Sequence, residues 1–127
     1  MGSRKRILYI EDETDLRWLV RHVLESDGGF EVLACGSGAE ALLRIGGFAP
    51  DLVLLDVMMP DMDGFSVLRE LRERPEFVSL RVVFLTARSQ QSDEYLRAGA
   101  QGLIAKPFEP RALVEQVRRY VGELASA

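Results

Sequence analysis

The sequence predicts an α/β domain built on a five-stranded, doubly wound parallel sheet, and three observations predict it. Short apolar runs alternate with longer stretches of helical period five times over, a (βα)5 rhythm. The short runs are mostly continuous in apolar character rather than alternating, as in strands covered on both faces. The chain, 127 residues and 47% hydrophobic, is long enough for one self-sufficient core and has almost no room for a second. Residues 1–4 read as an N-terminal extension or tag remnant, and 5–125 as the single domain.

The first strand is expected over Arg6 to Ile10. In the helix that follows, Leu16, Leu19, Val20, Val23 and Leu24 recur at i, i+3, i+4, i+7 and i+8, one core-facing stripe, and the Gly28-Gly29 pair ends it. On the same helical wheel Trp18 and His22 point away from the stripe and are expected to be exposed. The second strand is Glu31 to Cys35, after which Ser37-Gly38-Ala39-Glu40 opens a helix as a capping box. The third is Leu52 to Leu55, with Asp63 placed to cap the next helix. The fourth and fifth are Val82 to Leu85 and Leu103 to Ala105. Pro110 suits the first turn of the last helix, which is expected to reach Leu124 with Leu113, Val117, Tyr120, Val121 and Leu124 at core spacing.

Composition removes many functions. Lys and Arg number 16 against 20 Asp and Glu, a net charge of −4, which argues against direct nucleic-acid binding. Cys35 is the only cysteine and His22 the only histidine, so intramolecular disulfides, zinc knuckles, Cys-His nucleophiles and serine triads are excluded. No apolar run approaches a membrane span, and Met1 to Arg6 leads into a strand-like run rather than a signal-peptide core. A cytoplasmic protein without membrane partners is expected.

In open parallel sheets ligands bind beyond the carboxyl ends of the strands. Here the first strand runs into Glu11-Asp12-Glu13, the third into Asp56, the fourth into Thr86 and the fifth into Lys106-Pro107. Lysines number two against fourteen arginines, so a lysine at that place is less easily a compositional accident. If the first and third strands are neighbours, Glu11, Asp12 and Asp56 converge, and like charges about 4 Å apart repel by about 4 kcal/mol at an effective dielectric of about 20. Either one carboxyl stays protonated or a hard cation sits among them. A small oxygen-donor set suits Mg²⁺, with Mn²⁺ as an alternative ion, better than caged Ca²⁺. With a metal and the Lys106 ammonium to balance phosphoryl charge and the Thr86 hydroxyl to hydrogen-bond it, Asp56 has the surroundings of a nucleophile that forms an acyl phosphate.

These residues resemble the receiver domain of two-component response regulators, the single-domain chemotaxis regulators included. The resemblance covers nearly the whole chain. It rests on Ile10-Glu11-Asp12-Glu13, on Leu55-Asp56-Val57-Met58-Met59-Pro60-Asp61-Met62-Asp63-Gly64, on Thr86-Ala87, on Ala98-Gly99-Ala100 and on Lys106-Pro107-Phe108. It implies a flavodoxin-like sheet of order 2-1-3-4-5, with no output domain in this chain. Asp56 would accept phosphate from a sensor histidine kinase or phosphotransfer protein, in a domain that partly catalyses its own phosphorylation and dephosphorylation. Asp12, Asp56 and the Met58 carbonyl would ligate Mg²⁺, with Glu11 reaching it through water. Thr86, Ala87 and Lys106 would contact the phosphoryl group, and the Lys106-Pro107 bond would be cis. Met58 and Arg88 would flank the attacking water and tune phosphate lifetime. The phosphorylated form would address a downstream protein or output domain, as a monomer or a phosphorylation-dependent dimer.

Two departures stand out. Glu11 replaces the commoner aspartate of the acid pair, and Leu103 stands where many family members carry an aromatic residue coupled to the threonine. Leucine offers no ring or hydroxyl, so output would rest on repacking of the fourth helix or exposure of a patch. Two other functions compete. A pseudo-receiver would interact without taking phosphate, and a haloacid-dehalogenase-like phosphohydrolase would use Asp56 transiently but wants an acid where Met58 stands. Each acid also has a plainer use as a helix cap. Gly36-Ser37-Gly38-Ala39-Glu40-Ala41 matches a dinucleotide-binding pattern, yet follows the second strand and serves the capping box. Cys35 reads as a small buried hydrophobe. Trp18 with His22 reads as an exposed pair placed to help dock a phosphodonor.

Overall fold

A computed structural model gives the structure of the chain, described for residues 4–57, 63–87 and 92–122. The elements follow the expected rhythm: β1 (Arg6–Ile10), α1 (Thr14–Ser26), β2 (Glu31–Cys35), α2 (Gly38–Phe48), β3 (Leu52–Asp56), α3 (Gly64–Glu73), a 3₁₀ turn (Pro75–Phe77), β4 (Arg81–Thr86), α4 (Ser92–Arg97), β5 (Gly102–Ala105) and α5 (Pro110–Val121). The strands form one parallel sheet of order β2-β1-β3-β4-β5. Asp56 and Thr86, expected just after their strands, are the last residues within them, because the ladder continues through Asp56↔Leu85 and Thr86↔Ala105.

Strand alternation divides the interior in two. Leu8, Ile10, Val53, Leu55, Val82 and Phe84 face α2, α3 and α4, while Ile7, Tyr9, Leu52, Leu54, Val83 and Leu85 face α1 and α5. β3 is buried along its whole length, which is why its sequence shows no polar alternation. Truncating one such leucine to alanine typically costs about 2–5 kcal/mol.

Local sequence sets the element ends. Ser37 Oγ accepts the Glu40 amide at 3.1 Å, but Glu40 reaches back to the Gly36 amide at 3.0 Å, one residue short of a reciprocal capping box. Asp63 caps α3 through the Ser66 amide at 2.9 Å, and Pro110 occupies the first turn of α5. Gly64 allows α3 to start tight against β3. A Cβ there would stand 2.8 Å from the Phe84 ring and 3.1 Å from the Asp56 carbonyl oxygen.

The α1 stripe is narrower than its spacing suggests. Val20, Val23 and Leu24 are buried, Leu16 is half-buried, and Leu19 is 42% exposed. Leu16, Leu19, Val20 and Val23 form one wall of an open apolar groove of about 480 Å³ whose other wall includes Phe108, Pro110 and Leu113, and Leu19 stands at its open edge. Tyr120 is likewise half-buried, and the last helix ends at Val121, short of the expected Leu124, because Gly122 turns into the left-handed region (φ +84°) and its amide donates to the Arg118 and Arg119 carbonyls; Leu124 itself lies outside the described residues. No helix among the described residues is long and apolar enough to cross a membrane.

Candidate functional site

The pairing of β1 with β3 brings the ends of those strands side by side, and β4 and β5 continue the same edge. The pocket there has a volume of about 530 Å³ and is lined by Glu11, Asp12, Glu13, Asp56, Thr86, Ala87 and Lys106. Glu11, Asp56 and Thr86 are buried, whereas Asp12 is exposed. Carboxylate oxygens of Glu11, Asp12 and Asp56 lie within 4.8 Å of one another. Neither Asp12 nor Glu13 is used as a helix cap: Glu13 holds the N-cap position of α1 without a side-chain hydrogen bond to it. The plainer reading of these acids therefore has no support from the helix they precede.

Lys106 Nζ stands 3.4 Å from both Glu11 Oε1 and Asp56 Oδ1, an ammonium held between two carboxylates. Its peptide bond to Pro107 is cis, as the resemblance implies. Burial is the main force lifting the Glu11 carboxyl to about 7, and a hydrogen bond with Asp56 and its charge add to it, while Lys106 opposes the shift. Tyr9 donates to Glu11 Oε1 at 3.4 Å, and burial with the nearby Glu11 pushes its phenol far above the usual range. The Glu13 amide donates to Glu11 Oε2 at 3.3 Å.

Sequence reasoning did not find Arg17. Its Nη1 donates to the carbonyl of Glu11 at 2.8 Å and of Asp12 at 3.4 Å, fixing the backbone of the acid pair from the second turn of α1. Gly36 makes room for it, since a Cβ there would stand 3.1 Å from the same nitrogen. The available signal was an arginine one turn into the helix that follows the acids, which is too common a feature to single out. Tyr95 was also missed: its hydroxyl is 3.1 Å from Thr86 Oγ1.

Other expected residues fall elsewhere. Leu103 is half-buried opposite Phe84, packed on the α2, α3 and α4 side of the sheet, and does not line the pocket. Trp18, 65% exposed, stacks on His22 with ring centroids 5.3 Å apart, in a small surface cleft shared with Arg21 and Glu25. That cleft shares no residue with the acid pocket, so the pair is not brought into the site. The apolar groove, in contrast, shares Ala87 and Lys106 with it. Cys35 is fully buried, and burial pushes its thiol up to about 11, which removes it as a nucleophile. Met58 and Arg88 lie outside the described residues.

The donor set is hard: three carboxylates on one open edge, with room left for water and phosphoryl oxygens. That chemistry fits a Mg²⁺ ion. It also presents a buried carboxylate beside a cation and a hydroxyl, the parts needed to hold a phosphoryl group.

Comparison with known proteins gives the same frame. The sequence model of the response regulator receiver domain matches residues 7–118. The DNA-binding response regulator MtrA of Mycobacterium tuberculosis is 39% identical over 117 residues, 91% of this chain and 50% of that protein. The chain spans about half the length of the curated relatives it matches. Chemotaxis protein CheY4 of Vibrio cholerae superposes with a TM-score of 0.86 at 29% identity, covering 93% of this chain and 99% of that one. The receiver domain of sensor histidine kinase PA1611 from Pseudomonas aeruginosa, solved with a magnesium ion in its active-site cleft, superposes at 0.83 with 28% identity, covering 94% and 99%.

Proposed function

The chain belongs to the response regulator receiver domain family, and from that premise we propose that it is a phosphorylation-controlled switch whose phosphoacceptor is Asp56. One observation carries the residue assignment: Glu11, Asp12 and Asp56 converge in a single pocket with Lys106 and Thr86. The domain is taken as residues 5–125. A sensor histidine kinase or phosphotransfer protein supplies the phosphoryl group on a histidine nitrogen. An Asp56 carboxylate oxygen forms the new P–O bond as the P–N bond breaks, and the histidine leaves with its electron pair and takes up a proton.

Glu11, Asp12 and Asp56 would hold Mg²⁺, which supplies charge neutralisation for the crowded oxygens. Lys106 places its ammonium against Asp56 and so against the phosphoryl oxygens carried there, and Thr86 donates a hydrogen bond to one of them. Arg17 keeps the Glu11-Asp12 backbone in position. The same parts serve hydrolysis, so the domain catalyses both gain and loss of its phosphate. The acidic excess supports a protein rather than a nucleic acid as the direct partner of this segment, with DNA binding of the kind named for MtrA left to other segments of such proteins.

Intact mass after incubation with acetyl phosphate tests this reading. A single phosphoryl adduct that requires Mg²⁺ and is absent from Asp56→Asn is expected. No adduct, with beryllofluoride also failing to bind, would replace the switch with a pure interaction module. Rapid phosphate release without an adduct would replace it with a phosphohydrolase.

A further inference from the structure

We propose that Tyr95 is a positioning residue for Thr86 and the link through which occupancy of the pocket reaches α4; this rests on the reading of Thr86 as a phosphoryl contact. The hydroxyls of Tyr95 and Thr86 are 3.1 Å apart, and both residues are buried, 1% and 3% exposed. The Tyr95 ring is fixed from two further elements. It stacks on Phe65 of α3 at 5.3 Å and 16°, and meets Phe84 of β4 at 5.3 Å and 50°. The phenol oxygen is therefore placed by aromatic packing on α3 and β4, while its backbone belongs to α4.

The direction of the hydrogen bond follows from proton counting. A threonine hydroxyl has one proton and two lone pairs, and a phosphoryl oxygen is an acceptor. Before phosphorylation either hydroxyl can donate to the other. Once Thr86 gives its proton to the phosphoryl group, the contact with Tyr95 persists only with the phenol as donor. The chain then runs Tyr95 O–H to Thr86 Oγ1 and Thr86 O–H to phosphoryl oxygen, each bond polarising the next. Tyr95 thus aims the Thr86 proton into the pocket. Any displacement of Thr86 towards the phosphoryl group pulls on a side chain rooted in α4, whose Asp93, Glu94, Leu96 and Arg97 are exposed to a partner. Leu103, the residue opposite Phe84, has no group that can take part.

Tyr95→Phe removes the hydroxyl and keeps the ring, and it is compared with Thr86→Ala and the double variant. Phosphorylation by acetyl phosphate is expected to slow about fivefold in Tyr95→Phe, the size of one ordinary hydrogen bond, and Tyr95→Phe should add no further loss in the Thr86→Ala background. Mg²⁺ affinity should stay at the parental value. Hydrogen exchange over residues 92–97, expected to change when the unmutated protein is phosphorylated, should change less in Tyr95→Phe. Parental rate and exchange response in Tyr95→Phe, or losses that multiply in the double variant, would overturn the proposal. Should Tyr95→Phe fold poorly, the ¹³Cζ resonance of Tyr95 in unmutated protein decides instead: it should move on phosphorylation, and an unmoved signal counts against the link. Absence of an adduct in unmutated protein sinks the phosphoacceptor reading and this inference together. An adduct with an indifferent Tyr95 sinks this inference alone.

Discussion

Glu11 bears the cost of assembling the acid cluster. Its carboxyl, lifted from 4.5 to about 7 chiefly by burial, holds its proton more tightly in the folded state than in the unfolded chain. That preference contributes stability that is complete below about 4.5, the unfolded value, and is lost as the pH rises through about 7. Metal-free protein should therefore melt at a progressively lower temperature across this window, and Glu11→Gln should flatten the slope relative to the parent. Thermal melts in chelator from pH 4.5 to 8 check this; identical slopes would detach the effect from Glu11. The acids, Thr86 and Lys106 were legible in the sequence because each follows a short apolar run, and strand ends are where a parallel sheet presents chemistry. Arg17, Tyr9 and Tyr95 were not. Their contacts depend on which strand end a helix or neighbouring strand happens to approach, and no periodicity records that.

At the scale of elements, the rhythm of strands and helices was legible nearly residue by residue, and so were the caps at Ser37 and Asp63. The exposure of Leu19 was not, since a helical wheel marks a face without saying where a neighbouring helix stops covering it. Two glycine substitutions separate helix propensity from close packing. Gly47 lies within α2, exposed, with nothing within 4 Å of an added Cβ, so Gly47→Ala should stabilise by about 0.5–1 kcal/mol. Gly64 opens α3 against Phe84 and the backbone of Val57 and Asp56, which cannot yield without moving the end of β3. Gly64→Ala should cost about 1–3 kcal/mol despite the better helix former. Urea unfolding of both variants reads the two signs, and a Gly64→Ala protein as stable as its parent would remove the close-approach argument.

For the whole molecule, strand order came with the family resemblance, because short apolar runs do not say which of them pair. The order matters: it puts β1 and β3 side by side and creates the acid cluster. Mg²⁺ at about a hundredfold its dissociation constant should stabilise the protein by about 2.7 kcal/mol. Asp12→Ala should abolish that gain while melting no lower than the parent in chelator, since one of the three crowded carboxyl groups is gone. Melting curves with Mg²⁺ and with chelator measure both, and an undiminished Mg²⁺ response would take Asp12 out of the ligand set. Glu11 and Asp12 continue directly from β1 and Asp56 is the last residue of β3, and both strands beyond Arg6 are buried and laddered on both sides. Such strands act as a stiff mount: the backbone that carries the buried Glu11 and Asp56 has little freedom to spread and relieve their crowding. A cation would then meet a preformed cup, with little chain to rearrange on entry or exit. In the proposed switch the tempo would then belong to the making and breaking of the acyl phosphate, and the ion would be free to exchange many times within one signal.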